Sequence, residues 1–166
     1  QQGLFFASVR TFSEVSGIPI IKFCRLSPEL YIGSQPKRIS LTILKIIGIN
    51  AILNLRDEFE DNFANLKFVH YLHLPIVEFE SPSIKQLNQG VSYIESIIND
   101  GGKVYIHCKE GISRAPTMAI AYCVSKGMPL IEAIELVKKF RPFINILTNQ
   151  MNALKQFETQ IVGDNA

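Results

Sequence analysis

The chain has 166 residues, 47% of them hydrophobic, and carries a formal net charge of +2. This length and composition fit one globular domain with a sizeable core. So small a charge gives no reason to expect a nucleic-acid partner, and no apolar run reaches the ~18 residues that an integral membrane segment requires. With no internal repeat, linker or low-complexity segment, the sequence predicts a single-domain monomer.

Strands and helices are predicted to alternate along the chain. Pro36 is placed in the first turn of the first helix and Gly48 at its C-cap, while Ser83 and Gln86 have the spacing of a capping box. The predicted strands cover residues 18–23, 29–33, 51–55, 67–74 and 104–107, and the helices 36–48, 83–100, 114–126, 129–140 and 148–160. This alternation predicts an α/β fold with a mostly parallel central sheet of four or five strands and helices on both faces.

The stretch after the strand over 104–107 carries the most chemical information. We call it the 107–114 loop, and it reads His107-Cys108-Lys109-Glu110-Gly111-Ile112-Ser113-Arg114. Because five residues separate Cys108 from Arg114, one loop can wrap around a phosphate group. Backbone N–H groups from Lys109 to Arg114 are expected to point inward at the phosphate oxygens, helped by the N-terminus of the next helix.

The two ends of this loop have complementary chemistry. Arg114 can clamp two phosphate oxygens through a bidentate, charge-assisted contact. Cys108 is expected beneath the phosphorus atom, where the field that binds the dianion also favours thiolate over thiol. We therefore predict that Cys108 is a nucleophile for phosphate esters. The predicted substrate-binding residues are Lys109, Glu110, Gly111, Ile112, Ser113 and Arg114.

The other two cysteines lack this context. Leu30 stands six residues after Cys24, and Pro129 six residues after Cys123, so neither cysteine has an arginine partner. Both are predicted to be core or near-core thiols. Three cysteines without regular spacing indicate a reducing compartment, and we expect a cytoplasmic location. The sequence begins with Gln1 rather than Met, which leaves open an upstream targeting or anchor segment.

The 107–114 loop resembles the signature of the cysteine-dependent protein tyrosine phosphatases, in their dual-specificity branch. Residues 30–34, 48–55 and 71–75 are similar to strands of that branch, and 141–158 to its closing helix. The resemblance implies a catalytic domain over 26–160, with an N-terminal segment (1–25) that packs on or extends it and a C-terminal tail (161–166). It implies hydrolysis of phosphomonoesters through a phosphocysteine intermediate, without a metal or other cofactor. His107 is then expected to orient the loop and favour the thiolate.

A thiolate that attacks phosphorus needs a proton donor for the departing oxygen. In the resembled branch this donor is an aspartate seven residues after a strand tyrosine. Seven residues after Tyr71 stands Glu78, and no aspartate occurs between positions 61 and 100. Glu78 is therefore the candidate general acid, with Glu80 as the second candidate.

The residue after Arg114 departs from the usual pattern of the branch. Most relatives carry Ser or Thr there, whose hydroxyl stabilises the departing thiolate, whereas this chain has Ala115. The Arg-Ala-Pro sequence resembles phosphatases of regenerating liver, which are slow enzymes, and Thr117 is an alternative hydroxyl. A weakly active, phosphate-binding pseudophosphatase therefore remains an alternative. A rhodanese-like sulfur carrier is disfavoured, because its loop needs neither His107 nor Arg114 in this arrangement.

The substrate class rests on the charges of the loop. Lys109 resembles the basic loop residues of phosphoinositide phosphatases, but Ile112 stands where those enzymes have a second basic residue, and Glu110 opposes the charge. The short loop before Pro82 and the long helix after it are similar to mitochondrial lipid phosphatases. We favour phosphotyrosine, phosphothreonine or phosphoserine proteins as substrates, with phosphorylated lipids or inositols as the alternative.

Overall fold

The computed structural model describes residues 23–60 and 70–164. Within them the chain forms five strands and five helices. In chain order these are β1 (Phe23–Arg25), β2 (Leu30–Gly33), α1 (Arg38–Ile46), β3 (Ala51–Arg56), β4 (His70–Ile76), α2 (Ile84–Asn99), β5 (Val104–His107), α3 (Arg114–Ser125), α4 (Leu130–Phe140) and α5 (Thr148–Asp164).

The strands form one sheet in the order β1-β2-β5-β3-β4. Only β1 is antiparallel to its neighbour; β2, β3, β4 and β5 are parallel. β5 lies at the centre, with Val104 opposite both Leu30 of β2 and Ala51 of β3. The carboxyl ends of the parallel strands therefore meet at one edge, where sheets of this kind bind ligands. The predicted mostly parallel sheet is confirmed.

Helices cover both faces of this sheet, as predicted. On one face Tyr31, Ile52 and Tyr105 pack against the buried side of α1, including Leu44 and Ile47. The opposite face packs against α2, α3, α4 and α5 in the larger core cluster. Because β5 is buried on both faces, its residues form a continuous apolar run rather than an alternating one. Helix α3 directly behind β5 is held almost entirely inside the core.

The ends of several elements follow from local signals in the sequence. The capping box of α2 is confirmed, since the Ser83 side chain accepts from the Gln86 N–H and the Gln86 side chain bonds back to the Ser83 N–H. The prediction for Pro36 is wrong, because Lys37 is extended (φ −86°, ψ 165°) as the N-cap and α1 begins only at Arg38. Gly48 lies one residue beyond the C-cap, with φ +85°, a conformation that glycine adopts without strain.

Two predicted strands extend outside the described residues. Of the strand predicted over 18–23, only Phe23 is described, and it begins β1. Of the strand predicted over 67–74, residues 70–74 belong to β4, which continues to Ile76. At the other end of the chain, α5 continues past residue 160 to Asp164. No helix among the described residues is both long enough and apolar enough to span a membrane.

Candidate active site

The 107–114 loop connects β5 to α3 at the carboxyl edge of the sheet, and its carbonyl groups are bonded to the surrounding structure. The Lys109 carbonyl accepts from the Gln35 N–H at 3.1 Å, and the Ile112 carbonyl accepts from the Asn145 N–H at 2.8 Å. The Ser113 carbonyl accepts from the N–H of Thr117 at 3.0 Å, which begins the hydrogen bonding of α3. These contacts fix the outer side of the loop.

Arg141, a buried residue at the end of α4, holds the two remaining carbonyls in the middle of the loop. Its Nη2 donates to the Glu110 carbonyl at 2.9 Å, and its Nε donates to the Gly111 carbonyl. Gly111 has φ +67°, and a Cβ there would lie 2.5 Å from the Gly33 backbone, so this position accepts glycine alone. Five consecutive carbonyls, from Lys109 to Ser113, therefore have partners outside the loop, which is the arrangement that the predicted inward-facing N–H groups require.

The interior of the loop is a cavity of about 200 Å³ with Cys108 at its wall. Cys108 is only 3% exposed, and the Gly111 N–H donates to its Sγ at 3.3 Å. The predicted binding residues Lys109, Glu110, Ile112, Ser113 and Arg114 also line the cavity. Gly111 does not line the wall, but its N–H is aimed at the sulfur, which is the geometry expected of an amide that stabilises a thiolate.

His107 lies beneath the loop rather than in the cavity wall. It is the last residue of β5 and fully buried. Its ring stacks on Tyr105 with centroids 5.9 Å apart, and its Nδ1 lies 3.3 Å from the Cys108 carbonyl oxygen. The ring is thus placed to support the backbone of Cys108 without lining the cavity.

The guanidinium of Arg114 is held by carboxylates that the sequence reasoning did not identify. Its Nη1 lies 3.0 Å from Asp57 Oδ1 and 2.9 Å from Glu58 Oε2, and its Nη2 lies 3.1 Å from Glu58 Oε1. Nη1 also donates to the Ile76 carbonyl at 2.9 Å. Glu58 therefore forms the two-point contact that fixes the plane of a guanidinium, and the clamp is oriented before any ligand binds.

The pKa values of Glu58 and Arg114 reflect the ion pair between them. The hydrogen bond from Arg114 holds the pKa of the Glu58 carboxyl well below its ordinary range, against the opposing effect of burial. Burial alone would lower the pKa of Arg114, but the hydrogen bond that Arg114 donates to Glu58 and its electrostatic interactions with Cys108, Glu58 and Glu78 raise it instead. Both groups therefore stay charged throughout the neutral range.

The contribution of Glu58 to the stability of the protein should depend on pH. Because the folded-state pKa of Glu58 is lowered, its stabilising effect is complete above the ordinary carboxyl pKa of 4.5 and is lost as the pH falls below that value. We expect Glu58→Gln to lower the Tm at pH 7 by about 2–4 °C, the shift that ~1 kcal/mol gives a domain of this size. The difference from the parent should shrink below pH 4.5.

Glu60→Gln is the matched control for this measurement, since Glu60 is an exposed carboxylate in the same segment. Thermal unfolding of the three proteins from pH 3 to 8 gives the comparison. A Glu58→Gln difference that stays constant down to pH 3, or that equals the Glu60→Gln difference, would contradict the role assigned to the ion pair.

The segment after β4 carries the candidate general acid, and we call residues 77–81 the carboxylate loop. The structure brings Glu78 into the cavity wall with Cys108 and Arg114, and its Oε1 lies 3.8 Å from Arg114 Nη2. The side chain of Glu80 is exposed and does not line the cavity. Of the two candidates, only Glu78 lines the same cavity as Cys108.

The carboxylate loop has an unusual backbone at Phe79. This residue has φ +68°, the one left-handed non-glycine residue in the described part of the chain, and its side chain is 72% exposed. A turn closes the loop, with the Glu80 N–H donating to the Val77 carbonyl at 3.0 Å. Such a conformation costs of order 1–3 kcal/mol and persists only where the surroundings hold it.

The residue after Arg114, where most members of the resembled branch carry a hydroxyl, is buried. Ala115 is fully enclosed at the start of α3. The Thr117 hydroxyl, which the sequence offered as a substitute, donates to the Ser113 carbonyl at 2.9 Å within the helix. Gln150 Oε1 lies 3.4 Å from the same hydroxyl as a second acceptor. Because both acceptors are protein groups and Thr117 does not line the cavity, Thr117 is better described as a helix residue.

Cys24 and Cys123 differ chemically from Cys108. Burial raises the pKa of the Cys24 thiol to about 11, even though Arg141 acts to lower it. Burial also raises the pKa of the Cys123 thiol. Both are therefore neutral thiols near pH 7, and their core or near-core placement agrees with the prediction.

The comparisons with known proteins agree with this geometry. Residues 30–160 match the family described as "Dual specificity phosphatase, catalytic domain". The chain belongs to the dual-specificity phosphatase family. This confirms the family that the 107–114 loop predicted.

Individual relatives cover most of this dual-specificity phosphatase domain. The chain is 35% identical over 137 residues to dual specificity protein phosphatase 2 of Mus musculus, covering 81% of this chain and 42% of that protein. It therefore spans about two fifths of that curated relative. Among solved structures, PTPMT1 in complex with PI(5)P has a TM-score of 0.80 and 27% identity, covering 87% of this chain and 99% of that one. Tk-PTP in the active form has a TM-score of 0.77 and 29% identity, covering 86% and 98%.

Proposed function

We propose that this domain hydrolyses phosphomonoesters with Cys108 as the nucleophile. Its Sγ attacks phosphorus as the ester bond breaks, and Glu78 gives its proton to the departing oxygen. Water then attacks the phosphocysteine, the sulfur–phosphorus bond breaks, and the Glu78 carboxylate takes a proton from that water. The observation that carries this proposal is the Gly111 N–H directed at Cys108 Sγ in a loop whose carbonyls from Lys109 to Ser113 have partners outside the loop.

The remaining site residues have supporting roles in this reaction. Arg114 is proposed to hold two oxygens of the phosphoryl group, with Glu58 fixing the plane of its guanidinium. His107 is proposed to support the nucleophile through its contact with the Cys108 backbone. The chain's own groups supply nucleophile, acid and charge stabilisation, so the proposed reaction uses no metal or other cofactor.

We propose a phosphorylated protein as the substrate. Among the described residues, the cations in the cavity wall are Arg114 and Lys109, and two carboxylate residues, Glu78 and Glu110, line the same wall. The rest of the wall includes the apolar side chains of Phe79, Ile112 and Leu147. An apolar wall with no surplus positive charge suits the aromatic ring of phosphotyrosine better than an inositol that carries several phosphates.

We further propose that the protein is a monomer and that it is cytoplasmic. The reducing conditions of the cytoplasm would protect a thiolate nucleophile from oxidation.

A phosphorylated lipid is the second candidate substrate. PTPMT1, whose fold this chain shares, is described in complex with PI(5)P. Lys109 stands directly after the nucleophile with an exposed side chain, where it can meet a second phosphate. This observation supports a lipid headgroup with a single additional phosphate.

The two candidates differ in what they require of Lys109. We expect kcat/KM to be higher for a phosphotyrosine peptide than for a phosphothreonine peptide or for PI(5)P in vesicles. Lys109→Met should lower activity on the peptide only a few-fold. If PI(5)P is the best substrate and Lys109→Met abolishes that preference, the lipid is the substrate and the protein proposal is wrong.

The rate of the second step is proposed to be slow. Ala115 places a methyl group where relatives carry a hydroxyl that stabilises the departing thiolate, and both acceptors of the Thr117 hydroxyl are protein groups. The phosphocysteine is therefore proposed to break down slowly. A domain of this kind releases the dephosphorylated protein in the first step and keeps the phosphoryl group on Cys108 for an extended time, so it turns over slowly, as the weakly active alternative expects.

A further inference from the structure

Gln150, in the first turn of α5, contacts both halves of the proposed active site although it lies outside the cavity wall. Its side chain is fully buried. On one side, Oε1 accepts from the Ser113 hydroxyl of the 107–114 loop at 2.7 Å. On the other side, Nε2 donates to the Glu80 carbonyl of the carboxylate loop at 3.2 Å. One carboxamide thus bridges two loops that lie far apart in sequence.

The partners of Gln150 fix the direction of its amide. Oε1 also accepts from the Leu147 N–H at 3.1 Å, and the Thr117 hydroxyl lies 3.4 Å from it. A backbone N–H can only donate. The Glu80 carbonyl on the opposite side can only accept. The oxygen must therefore face Ser113 and Leu147, and the nitrogen must face the carboxylate loop. A carboxylate or a thioether at this position cannot satisfy both sides.

The carboxylate loop needs such a contact because its backbone is strained. Phe79, directly after Glu78, has φ +68°, and its exposed side chain adds little packing. Two neighbouring residues of α5 hold the loop carbonyls, since Asn149 Nδ2 donates to the Phe79 carbonyl at 2.9 Å and Gln150 bonds the next one. Of the two, only Gln150 is buried and also bonded to the 107–114 loop.

We propose that Gln150 is a positioning residue that couples the carboxylate loop to the 107–114 loop and so holds Glu78 at the cavity wall. This inference rests on the proposed function, in which Cys108 is the nucleophile and Glu78 the general acid. Gln150 itself contacts neither the cavity nor the nucleophile. Gln150 is proposed to act only by raising the fraction of molecules in which the Glu78 carboxyl lies within reach of the leaving-group oxygen.

The test replaces Gln150 by methionine, which keeps the length of the side chain but neither donates to Glu80 nor accepts from Ser113. For phenyl phosphate, whose leaving oxygen needs a proton, kcat/KM should fall by about 10²-fold, the typical cost of misplacing a group by 1 Å. For 4-nitrophenyl phosphate the fall should be only a few-fold. Gln156→Met is the matched control, since Gln156 is exposed on the same helix, and it should behave as the parent does.

A second variant guards against a general loss of packing. Gln150→Asn keeps an uncharged amide, but its side chain is one methylene too short to reach both the Ser113 hydroxyl and the Glu80 carbonyl. It should show the same selective loss on phenyl phosphate, whereas a general loss of packing would lower the turnover of both phosphates alike. In the background of Glu78→Gln, either change at Gln150 should add no further selectivity between the two leaving groups.

Amide hydrogen exchange gives a readout that does not depend on turnover. In both Gln150 variants the amides of residues 77–81 should exchange faster, including the Glu80 N–H that closes the turn, while those of β5 and α3 stay protected. Unchanged exchange in this loop, or equal slowing of both phosphates, overturns the role of Gln150. Turnover that survives Cys108→Ser would instead overturn the proposed function. The hydrogen-exchange result would then test by itself whether Gln150 couples the carboxylate loop to the 107–114 loop.

Discussion

Replacing Cys108 by serine is expected to lower kcat/KM on 4-nitrophenyl phosphate by about 10⁴-fold or more, because a serine hydroxyl in this loop has no base to ionise it. Binding of inorganic phosphate, measured by calorimetry, should survive, since the N–H groups of the loop remain. Cys123→Ser makes the same atomic change in a cysteine whose raised pKa keeps it a neutral thiol, and it should retain the parent activity. A Cys108→Ser protein with near-parent turnover would rule out cysteine catalysis.

Catalytic activity should be nearly as sensitive to a conservative substitution of Arg114 as to the substitution of Cys108. Arg114→Lys is expected to cost about 10²–10³-fold in kcat, the usual cost of losing an oriented charge donor. An ammonium cannot reproduce a two-point contact with phosphate, and it also leaves Asp57 and Glu58 with an incomplete partner. Vanadate should inhibit the parent but bind Arg114→Lys weakly, and a chelator should affect neither protein. Full activity in Arg114→Lys would show that the arginine is not the phosphate clamp.

A further large effect is expected at Glu78, and its size depends on the leaving group. Glu78→Gln keeps the size of the side chain but has no proton to give, so phenyl or phosphotyrosyl substrates should slow by about 10²–10⁴-fold. A nitrophenyl oxygen needs little protonation, and its release should slow much less. The measurement is kcat/KM across a series of aryl phosphates, and the dependence on leaving-group pKa should be steeper in Glu78→Gln than in the parent.

Glu80→Gln distinguishes the two candidate acids in the same series. Its side chain is exposed and outside the cavity wall, so its leaving-group dependence should equal that of the parent. If Glu80→Gln steepens the dependence and Glu78→Gln does not, the carboxylate loop adopts a different arrangement during catalysis. A flat result for both would assign the protonation to water.

The parts of the site that the sequence predicted are those encoded within one short segment. Cys108 and Arg114 stand at the two ends of one loop, between an apolar strand and an apolar helix, so their spacing alone indicated a phosphate-sized cavity. The position of Glu78 followed from its distance to Tyr71 in the resembled family. The structure brings Glu78 to the same cavity because the ends of β4 and β5 lie at one edge of the sheet.

The parts that were missed depend on contacts between distant segments. Glu58 reaches Arg114 across 56 positions, and Arg141 reaches Gly111 across 30. A signal for Glu58 existed, since Asp57 and Glu58 directly follow β3, and adjacent parallel strands end at the same edge. The segment that contains Arg141 and Gln150 resembled the closing helix of the family, but nothing in it predicted their contacts, because Arg141 and the Nε2 of Gln150 bond to backbone carbonyls, which carry no sequence information.

The most direct test of the central claim is to trap the phosphocysteine. The domain would be mixed with an aryl phosphate, quenched with acid within milliseconds and digested, and the phosphorylated peptide identified by mass spectrometry. Because Ala115 should slow breakdown of the intermediate, we expect a burst of released phenol and a phosphate covalently attached to Cys108. A phosphate on any other residue, or steady turnover in which no phosphorylated Cys108 forms in either the parent or Glu78→Gln, would contradict the proposed mechanism.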